Sequence, residues 1–263
     1  MVAIAGIPFD ENSSFLRGPA MAPAKIREAY SSDSANYFTE SGLDLENTAG
    51  WKDFGDLDVS GNDAFGKITE DTAKLLKDNE KLFLLGGDHS ITFPIIKGFH
   101  DRYPNLTILH FDAHADLYDD FEGNPHSHAS PFARIMENGL AKRLIQIGIR
   151  TLNKHQREQV KRFKVEVVEM KYWYDAMRFT FDGPVYVSLD MDAIDPAFAP
   201  GVSHHEPGGF STRQVLNILQ HLKGNIVGAD LVEFNPTRDP SGITAMLAAK
   251  LYKEMIDVLI RTK

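Results

Sequence analysis

Short apolar runs rich in β-branched residues alternate with amphipathic segments along nearly the whole chain. The runs predict strands at residues 2–7, 81–85, 106–111, 143–148, 165–168, 185–189 and 226–231, with a weaker eighth at 57–59. Apolar positions spaced by three and four residues predict helices at 64–77, 132–137, 153–163, 212–222 and 244–261. Most of the strand runs are continuously apolar, which is typical of strands covered by helices on both faces.

The order of these elements determines the predicted fold class. Repeated strand–helix units favour an α/β fold with a mainly parallel sheet and right-handed crossovers. A length of 263 residues suits one large domain, and no internal repeat, low-complexity tract or Pro/Gly-rich linker divides the sequence. We therefore expect a single domain over residues 1–263.

Composition and charge narrow the class of protein. The chain has 28 Lys+Arg against 37 Asp+Glu and no long basic run, which argues against a nucleic acid or an anionic membrane as partner. It also lacks an apolar stretch long enough to span a bilayer and the basic start of a secretory signal. The absence of cysteine excludes disulfides, thiolate metal sites and cysteine nucleophiles. We expect a soluble, cytoplasmic enzyme or small-molecule-binding protein.

Polar motifs directly follow four of the predicted strands. They are GGDHS at 86–90, DAHAD at 112–116, DMD at 190–192 and the single acid Glu233. Ligands of open parallel sheets bind outside the carboxyl ends of the strands. We therefore expect these four segments to meet at one edge of the sheet and to form the functional site there.

The residue types at this edge indicate a pair of metal ions. In DAHAD two aspartates and a histidine alternate with alanines, so an extended segment projects all three to one side, and DMD repeats the spacing. Several carboxylates packed together repel one another unless cations lie among them. Oxygen and imidazole donors without sulfur fit two Mn²⁺ ions, with Zn²⁺, Co²⁺ or Ni²⁺ as alternatives. The six candidate ligands are His89, Asp112, His114, Asp116, Asp190 and Asp192.

The same motifs resemble the signature segments of the ureohydrolases, the arginase/agmatinase family. GGDHS, DAHAD, SLDMDAIDPAFAPG and VEFNP match four segments of the family, and GIPFDENSSFLRGPAMAPAKIRE is similar to its amino-terminal strand and loop, so the resemblance covers nearly the whole chain. The resemblance implies a three-layer α/β fold with an eight-stranded parallel sheet, a binuclear Mn²⁺ centre and a homo-oligomer, either a trimer or a hexamer. It also implies hydrolysis of a small guanidino substrate to urea and an amine.

The resemblance further implies how the ligands are shared between the two ions. His89 and Asp116 would hold one ion, and His114 and Asp192 the other. The two remaining ligands would touch both ions; they are Asp112 and Asp190.

Catalytic and substrate-binding roles follow from the same likeness. Asp116 would relay a proton, and His128 matches a histidine that shuttles protons, which an imidazole titrating near neutrality can do. Glu233 matches the glutamate that holds the guanidinium, whose parallel N–H groups a carboxylate can accept. Asn124 and His126 are candidate substrate contacts. The other histidines considered have structural places: His110 within a strand, and His204 and His205 in a loop beside the cleft.

The loop between Asp116 and His128 predicts the substrate. It contains Asp119, Asp120 and Glu122 but no Lys or Arg, so it would attract the ammonium of agmatine and repel the α-carboxylate of arginine. Agmatine is therefore the predicted substrate, with putrescine as the product amine. The alternative is L-arginine, because the same loop and the segment GVSHHEPGG also resemble those of plant-type arginases.

Other functions fit these residues less well or need further features. A metal-dependent deacetylase of related architecture needs only one metal site, which disagrees with the presence of both His89 and Asp116. Another guanidino hydrolase would keep the metals, as would a formimidoylglutamase, which also needs a cationic pocket for a glutamate side chain. A non-catalytic regulator on the same scaffold would have lost ligands or the acid–base residue, and none is missing here.

Overall fold

The structure, a computed structural model, describes residues 1–262 and contains an eight-stranded sheet in which neighbouring strands are parallel. The strand order is β2-β1-β3-β8-β7-β4-β5-β6. The strands are β1 (Val2–Gly6), β2 (Trp51–Asp56), β3 (Lys81–Leu85), β4 (Thr107–Phe111), β5 (Arg143–Ile149), β6 (Glu166–Glu169), β7 (Pro184–Asp190) and β8 (Asn225–Val232).

Helices cover both faces of this sheet. On one face α2 packs against α3, α3 against α4 and α4 against α5, and on the other face α1 and α6 pack against α7. This arrangement is the three-layer α/β fold expected from the sequence. Within residues 1–262, no helix is both long enough and apolar enough to cross a membrane. The helices are α1 (Ala22–Tyr30), α2 (Ala64–Asp78), α3 (Thr92–His100), α4 (Pro131–Glu137), α5 (Lys154–Phe163), α6 (Thr212–His221) and α7 (Ile243–Arg261).

The apolar pattern located most of these elements. Seven predicted strands and all five predicted helices are present with their ends within one residue. The weaker eighth strand was wrong: the chain forms β2 at Trp51–Asp56 rather than at 57–59. Its sequence WKDFGD lies at the edge of the sheet and is mostly solvent-accessible, so it lacks the apolar run of a central strand.

Two helices, α1 and α3, were not predicted. Helix α3 has the sequence TFPIIKGFH, and most of its residues are buried around the whole circumference, so its apolar positions do not repeat with a helical period. Helix α1 is a nine-residue helix with a proline in its first turn. Short or fully buried helices give a weak periodic signal, which explains both omissions.

The core lies on both sides of the central strands. All five residues of β4 are buried, and they alternate between the two faces. Leu109 and Phe111 join the core beneath α6 and α7, whereas Ile108 joins the core beneath α2 and α3. The rigid centre of the sheet therefore carries the segments that follow β4, β7, β8 and β3.

Gly228 in β8 marks a close approach between the sheet and α3. A Cβ atom at this position would lie 2.5 Å from Phe99 Cζ and 3.0 Å from Tyr186 Cδ2. Both aromatic side chains are fully buried, so neither can move aside without disturbing the core.

We expect Gly228→Ala to lower the free energy of unfolding by about 1–3 kcal/mol, because overpacking forces buried side chains from their preferred rotamers. Denaturant-induced unfolding of the purified protein measures this change. Gly183→Ala is the matched control, since a Cβ there would meet only Asn105 O at 3.7 Å. Equal unfolding midpoints for the two variants would contradict the packing interpretation.

Candidate active site

The four motif segments lie side by side because of the strand order. They follow β3, β8, β7 and β4, which are consecutive neighbours at the centre of the sheet. The paired strands β3 and β8 are separated in sequence by eight other strands and helices. Parallel pairing brings their carboxyl ends to the same edge, and the polar side chains meet there.

The first group of candidate ligands surrounds His89. Its Nδ1 atom lies 3.3 Å from Asp112 Oδ2, 3.2 Å from Asp116 Oδ2 and 3.1 Å from Asp190 Oδ2. This nitrogen is buried and has no hydrogen-bond partner within the described chain. Three carboxylate oxygens and one unpartnered imidazole nitrogen therefore converge on one point, as a cation site requires.

The second group of candidate ligands surrounds His114. Its Nδ1 atom lies 3.0 Å from Asp192 Oδ2 and 3.4 Å from Asp112 Oδ1. The two oxygens of Asp112 thus face different imidazoles, which is the geometry of a carboxylate that bridges two ions. Asp190 lies beside His89 through Oδ2, whereas its Oδ1 accepts a hydrogen bond from the backbone N–H of Asp192.

The electrostatics of these groups favour bound cations. Burial and the neighbouring Asp192 and Asp112 raise the pKa of Asp190 well above its usual value. Burial, together with Asp112, raises the pKa of Asp116 to about 6. Like charges held this close destabilise one another in a buried site, and divalent cations relieve that repulsion. The donor set therefore fits two divalent ions.

A hydrogen-bond chain orients His89. The Oγ atom of Ser188 lies 3.0 Å from His89 Nε2 and donates to Asp230 Oδ1 at 2.7 Å. Because that hydroxyl proton is committed to Asp230, Ser188 accepts from the Nε2–H of the imidazole. The lone pair of His89 is then on Nδ1, facing the carboxylates. Such outer hydrogen bonds are typical of metal-binding histidines.

A second chain orients Asp112. The side-chain amide of Gln146 donates to His110 Nδ1 at 3.0 Å, so His110 carries its proton on Nε2 and donates to Asp112 Oδ2 at 2.8 Å. Burial lowers the pKa of His110 to about 4, which keeps the ring neutral. His110 is packed in its strand as expected, but it also holds a candidate ligand, a function that sequence reasoning missed.

These supporting residues form a polar row across the sheet. Gln146 pairs with His110, His110 with Ser188, and Ser188 with Asp230, each on the next strand. A polar residue inside each of four apolar strands was the sequence signal that could have revealed the row. Whether these four polar residues lie next to one another depends on the order and register of the strands, which cannot be read from the sequence.

His128 and Glu233 form a buried pair beside the ligands. His128 Nδ1 lies 2.8 Å from Glu233 Oε1, which also accepts a hydrogen bond from the backbone N–H of His89 at 2.9 Å. Burial would lower the pKa of His128, but the adjacent Glu233 raises it to about 9. Burial likewise opposes ionisation of Glu233, yet His128 lowers the pKa of that carboxyl. The pair is therefore an imidazolium–carboxylate pair at neutral pH.

Backbone conformation at two of these positions is unusual. Asp116 has φ 49° and Glu233 has φ 63°, in the left-handed region that side-chain-bearing residues rarely adopt. Asp116 lies in the segment after β4, and Glu233 directly follows β8, so both are at the edge of the sheet where the candidate ligands lie. Strained backbone is frequently found where a side chain must be aimed at a functional site, and here it directs two carboxylates into the same cavity.

A cavity of about 220 Å³ opens over the ligands. Its wall includes Asp116, Asp190, Asp192, His114, His128 and Glu233. His204, which was expected beside the cleft, is also part of the wall. The remaining wall residues were not predicted from the sequence; they are Ser14, Tyr118, Phe121, Ala129, Thr151, Gln156 and Glu206.

Two predicted substrate contacts lie elsewhere. Asn124 and His126 line a different cavity together with Phe9, Asn12 and Phe65. The His126 ring stacks on Phe93 and meets Phe65 edge-on, and the Asn124 side chain bonds to Asn12 and to the backbone of His126. The structure therefore gives these residues packing and loop-ordering contacts rather than a place at the ligand cluster.

The three acids of the loop after Asp116 also lie outside the cavity wall. Asp119 accepts hydrogen bonds from Gln159 and Arg162, and Asp120 accepts one from the backbone of Gly123. Glu122 is exposed and lies outside the cavity wall. The loop contributes Tyr118 and Phe121 to the wall instead. The electrostatic reason for predicting agmatine was therefore wrong, because this loop places aromatic side chains rather than its acids on the cavity wall.

Known proteins resemble this chain over most of its length. The model of the Arginase family matches residues 1–257. Arginase 1, mitochondrial, from Arabidopsis thaliana is 47% identical over 277 residues, covering 96% of this chain and 79% of that protein. An agmatinase from Bacillus cereus is 34% identical, covering 97% and 90% respectively. The solved structure of arginase from Medicago truncatula has a TM-score of 0.91 at 44% identity, covering 98% of this chain and 87% of that one.

We expect Asp190→Asn to lower the metal content of the purified protein and nearly to abolish activity, because one carboxylate ligand is lost. The metal-free variant should unfold at a higher temperature than the metal-free wild type at pH 7. The pKa of Asp190 is raised on folding, so its ionised form destabilises the folded state above the unfolded pKa of about 4. This difference should vanish as the pH falls towards that value.

Elemental analysis and thermal unfolding with and without a chelator measure both effects. Asp119→Asn is the control, since Asp119 lies outside the cavity and should leave metal content unchanged. Wild-type metal content in Asp190→Asn would remove Asp190 from the ligand set.

Proposed function

Because the chain belongs to the arginase family of metal-dependent ureohydrolases, which act on guanidino compounds, we propose that it hydrolyses L-arginine to L-ornithine and urea with two Mn²⁺ ions. The observation that carries the choice of arginine over agmatine is the degree of similarity. The chain is 47% identical to an arginase and 34% identical to an agmatinase over nearly the same length. Arginine therefore replaces agmatine as the proposed substrate.

The cavity is compatible with an amino-acid substrate. The loop acids that would repel an α-carboxylate are turned towards other partners. The Tyr118 hydroxyl accepts a hydrogen bond from Asn153, so its own proton is free to be donated. Gln156, which is buried and lines the cavity, has an amide Oε1 without a partner in the described chain. These neutral groups can bind the amino-acid end of the substrate.

The proposed metal ligands divide into two sets. His89, Asp112, Asp116 and Asp190 would hold one ion, and His114, Asp192 and Asp112 the other. That Asp190 also touches the second ion, as the resemblance implies, stays a prediction. When bound, the pair of ions lowers the pKa of water and so supplies a nucleophile at neutral pH. The choice of Mn²⁺ rests on the oxygen-rich donor set with two imidazoles and no sulfur.

Glu233 binds and orients the guanidinium in this proposal. Its Oε1 atom is fixed by His128 and by the backbone of His89, and the residue lines the cavity next to the ligands. Its pKa is lowered by His128, so the side chain is a carboxylate that can accept charge-assisted hydrogen bonds. Holding the planar group against the nucleophile supplies part of the rate by proximity.

Two residues would handle the protons. Asp116 lies within the ligand cluster and on the cavity wall, so its carboxylate is placed to take a proton from the nucleophile and to pass it on. His128 is protonated at neutral pH because its pKa is raised to about 9, so it can supply the proton that the leaving amine requires.

A formimidoylglutamase fits the cavity less well. Binding the acidic substrate of that enzyme calls for cationic side chains, and the cavity wall contains no Lys or Arg within the described residues. The cytoplasmic location and the trimeric or hexameric assembly expected from the sequence stay predictions.

We expect His128→Asn to retain both metal ions and to lower kcat by about 10²–10⁴, the usual contribution of a proton-transfer group. Urea release from L-arginine, measured alongside metal analysis, checks this expectation. His221→Asn serves as the control, because His221 is exposed on α6 and its Nδ1 atom bonds to the backbone carbonyl of Asn217, outside the cavity wall. An unchanged kcat in His128→Asn would assign His128 a purely structural role.

The proposed substrate is tested by comparing kcat/KM for L-arginine, agmatine and other guanidines with Mn²⁺-loaded enzyme. We expect L-arginine to have the highest value, because the loop acids do not reach the cavity and neutral donors do. A higher kcat/KM for agmatine would restore the prediction made from the loop sequence. The absence of urea release from every guanidine would refute the hydrolase assignment itself.

A further inference from the structure

Both ring nitrogens of His128 are engaged by protein groups. Nδ1 lies 2.8 Å from Glu233 Oε1, and Nε2 lies 2.8 Å from Ser14 Oγ. Neither nitrogen is left to reach a substrate directly. We propose, building on the hydrolase function above, that the Ser14 hydroxyl transfers the proton from His128 to the leaving amine and is thus a catalytic residue.

The position of Ser14 suits this role. Ser14 lines the same cavity as Asp116, His128 and Glu233, and its residue is exposed whereas His128 is buried. Because Glu233 holds the guanidinium, the nitrogen that leaves lies in this cavity. A hydroxyl between the buried imidazole and the cavity can donate to one side while it accepts from the other.

The proton transfer balances without any further reactant. The Nε2–H bond of His128 breaks and its proton joins Ser14 Oγ, while the original Ser14 O–H proton passes to the nitrogen of the leaving amine. The carbon–nitrogen bond of the intermediate then breaks, and its electron pair stays on the protonated amine. Ser14 ends unchanged, and His128 is left neutral until it is reprotonated from solvent by the reverse path.

The fold holds Ser14 at this distance through its neighbours. Asp88, which is buried in the GGDHS segment, accepts hydrogen bonds from the backbone N–H of Asn12 at 3.0 Å and from Ser13 Oγ at 3.3 Å. The backbone carbonyl of Asn12 in turn accepts from the N–H of His128 at 3.1 Å. The loop that carries Ser14 and the segment that carries His128 are therefore tied to each other.

Substitution of Ser14 tests the proposal in the metal-loaded enzyme. We expect Ser14→Ala to lower kcat for L-arginine by about 10–100-fold, within the range of a proton-transfer contribution, with KM and metal content close to wild type. Ser14→Thr keeps the hydroxyl and should retain kcat within about fivefold. Ser60→Ala is the control: it removes an exposed serine hydroxyl that bonds to Asp58 and lies outside the cavity wall, and it should stay close to wild type.

A second substrate separates proton transfer from simple positioning. An arginine analogue with oxygen in place of the methylene next to the guanidinium releases a much weaker base, which needs less protonation in order to leave. Ser14→Ala should therefore lose less than about threefold in kcat on this analogue. Equal losses on both substrates, or a Ser14→Thr variant as slow as Ser14→Ala, would overturn the relay. Failure of the proposed function would appear separately, as wild-type enzyme that releases no urea from either substrate.

Discussion

Four buried carboxylates lie close to two imidazoles at one edge of the sheet, and the hydrogen bonds around them hold these side chains in place. Burial, together with repulsion between neighbouring acids, raises the pKa values of Asp116 and Asp190. The cluster therefore lowers the stability of the metal-free protein, and bound cations remove that loss of stability. Binding energy of the metal ions is consequently part of the folding energy of the site.

The polar row beneath the edge explains how the ligands keep their orientation. Ser188 with Asp230 fixes the proton of His89, and Gln146 with His110 directs a donor at Asp112. The imidazoles of His89 and His110 each have a defined tautomer, because the ring nitrogen that faces away from the candidate ligands is hydrogen-bonded to Ser188 or to Gln146. Buried polar groups in central strands are expensive unless they are paired, and in these strands the pairing runs between neighbouring strands at the same level.

The pair of His128 and Glu233 links substrate binding with proton transfer. One carboxylate oxygen bonds to the imidazole, while the same side chain faces the cavity where the guanidinium is held in our proposal. A change in either residue therefore alters the charge of the other. Ser14 bonds to the other nitrogen of the His128 ring, so Glu233, His128 and Ser14 form a continuous hydrogen-bonded chain along the cavity.

By itself, the sequence determined the elements and the residues that carry the chemistry. Apolar runs located seven strands, and most of these runs are continuous because a strand buried on both faces admits few other residues. The spacing in DAHAD and DMD indicated which side chains share a side, because alternation along a strand is a local property. Five of the six proposed ligands could be named for this reason, and His89 could be named from its place after the strand at 81–85.

Only the tertiary structure decided which partners these residues have. Asp119 and Asp120 were misjudged because their direction depends on Arg162, Gln159 and the local turn, not on net charge. Ser14 and His110 meet their partners across 114 and 36 positions of sequence. The edge strand β2 and the buried helix α3 likewise carry no periodic signal of their own. Strand order and register set these contacts, and both arise from packing between distant segments.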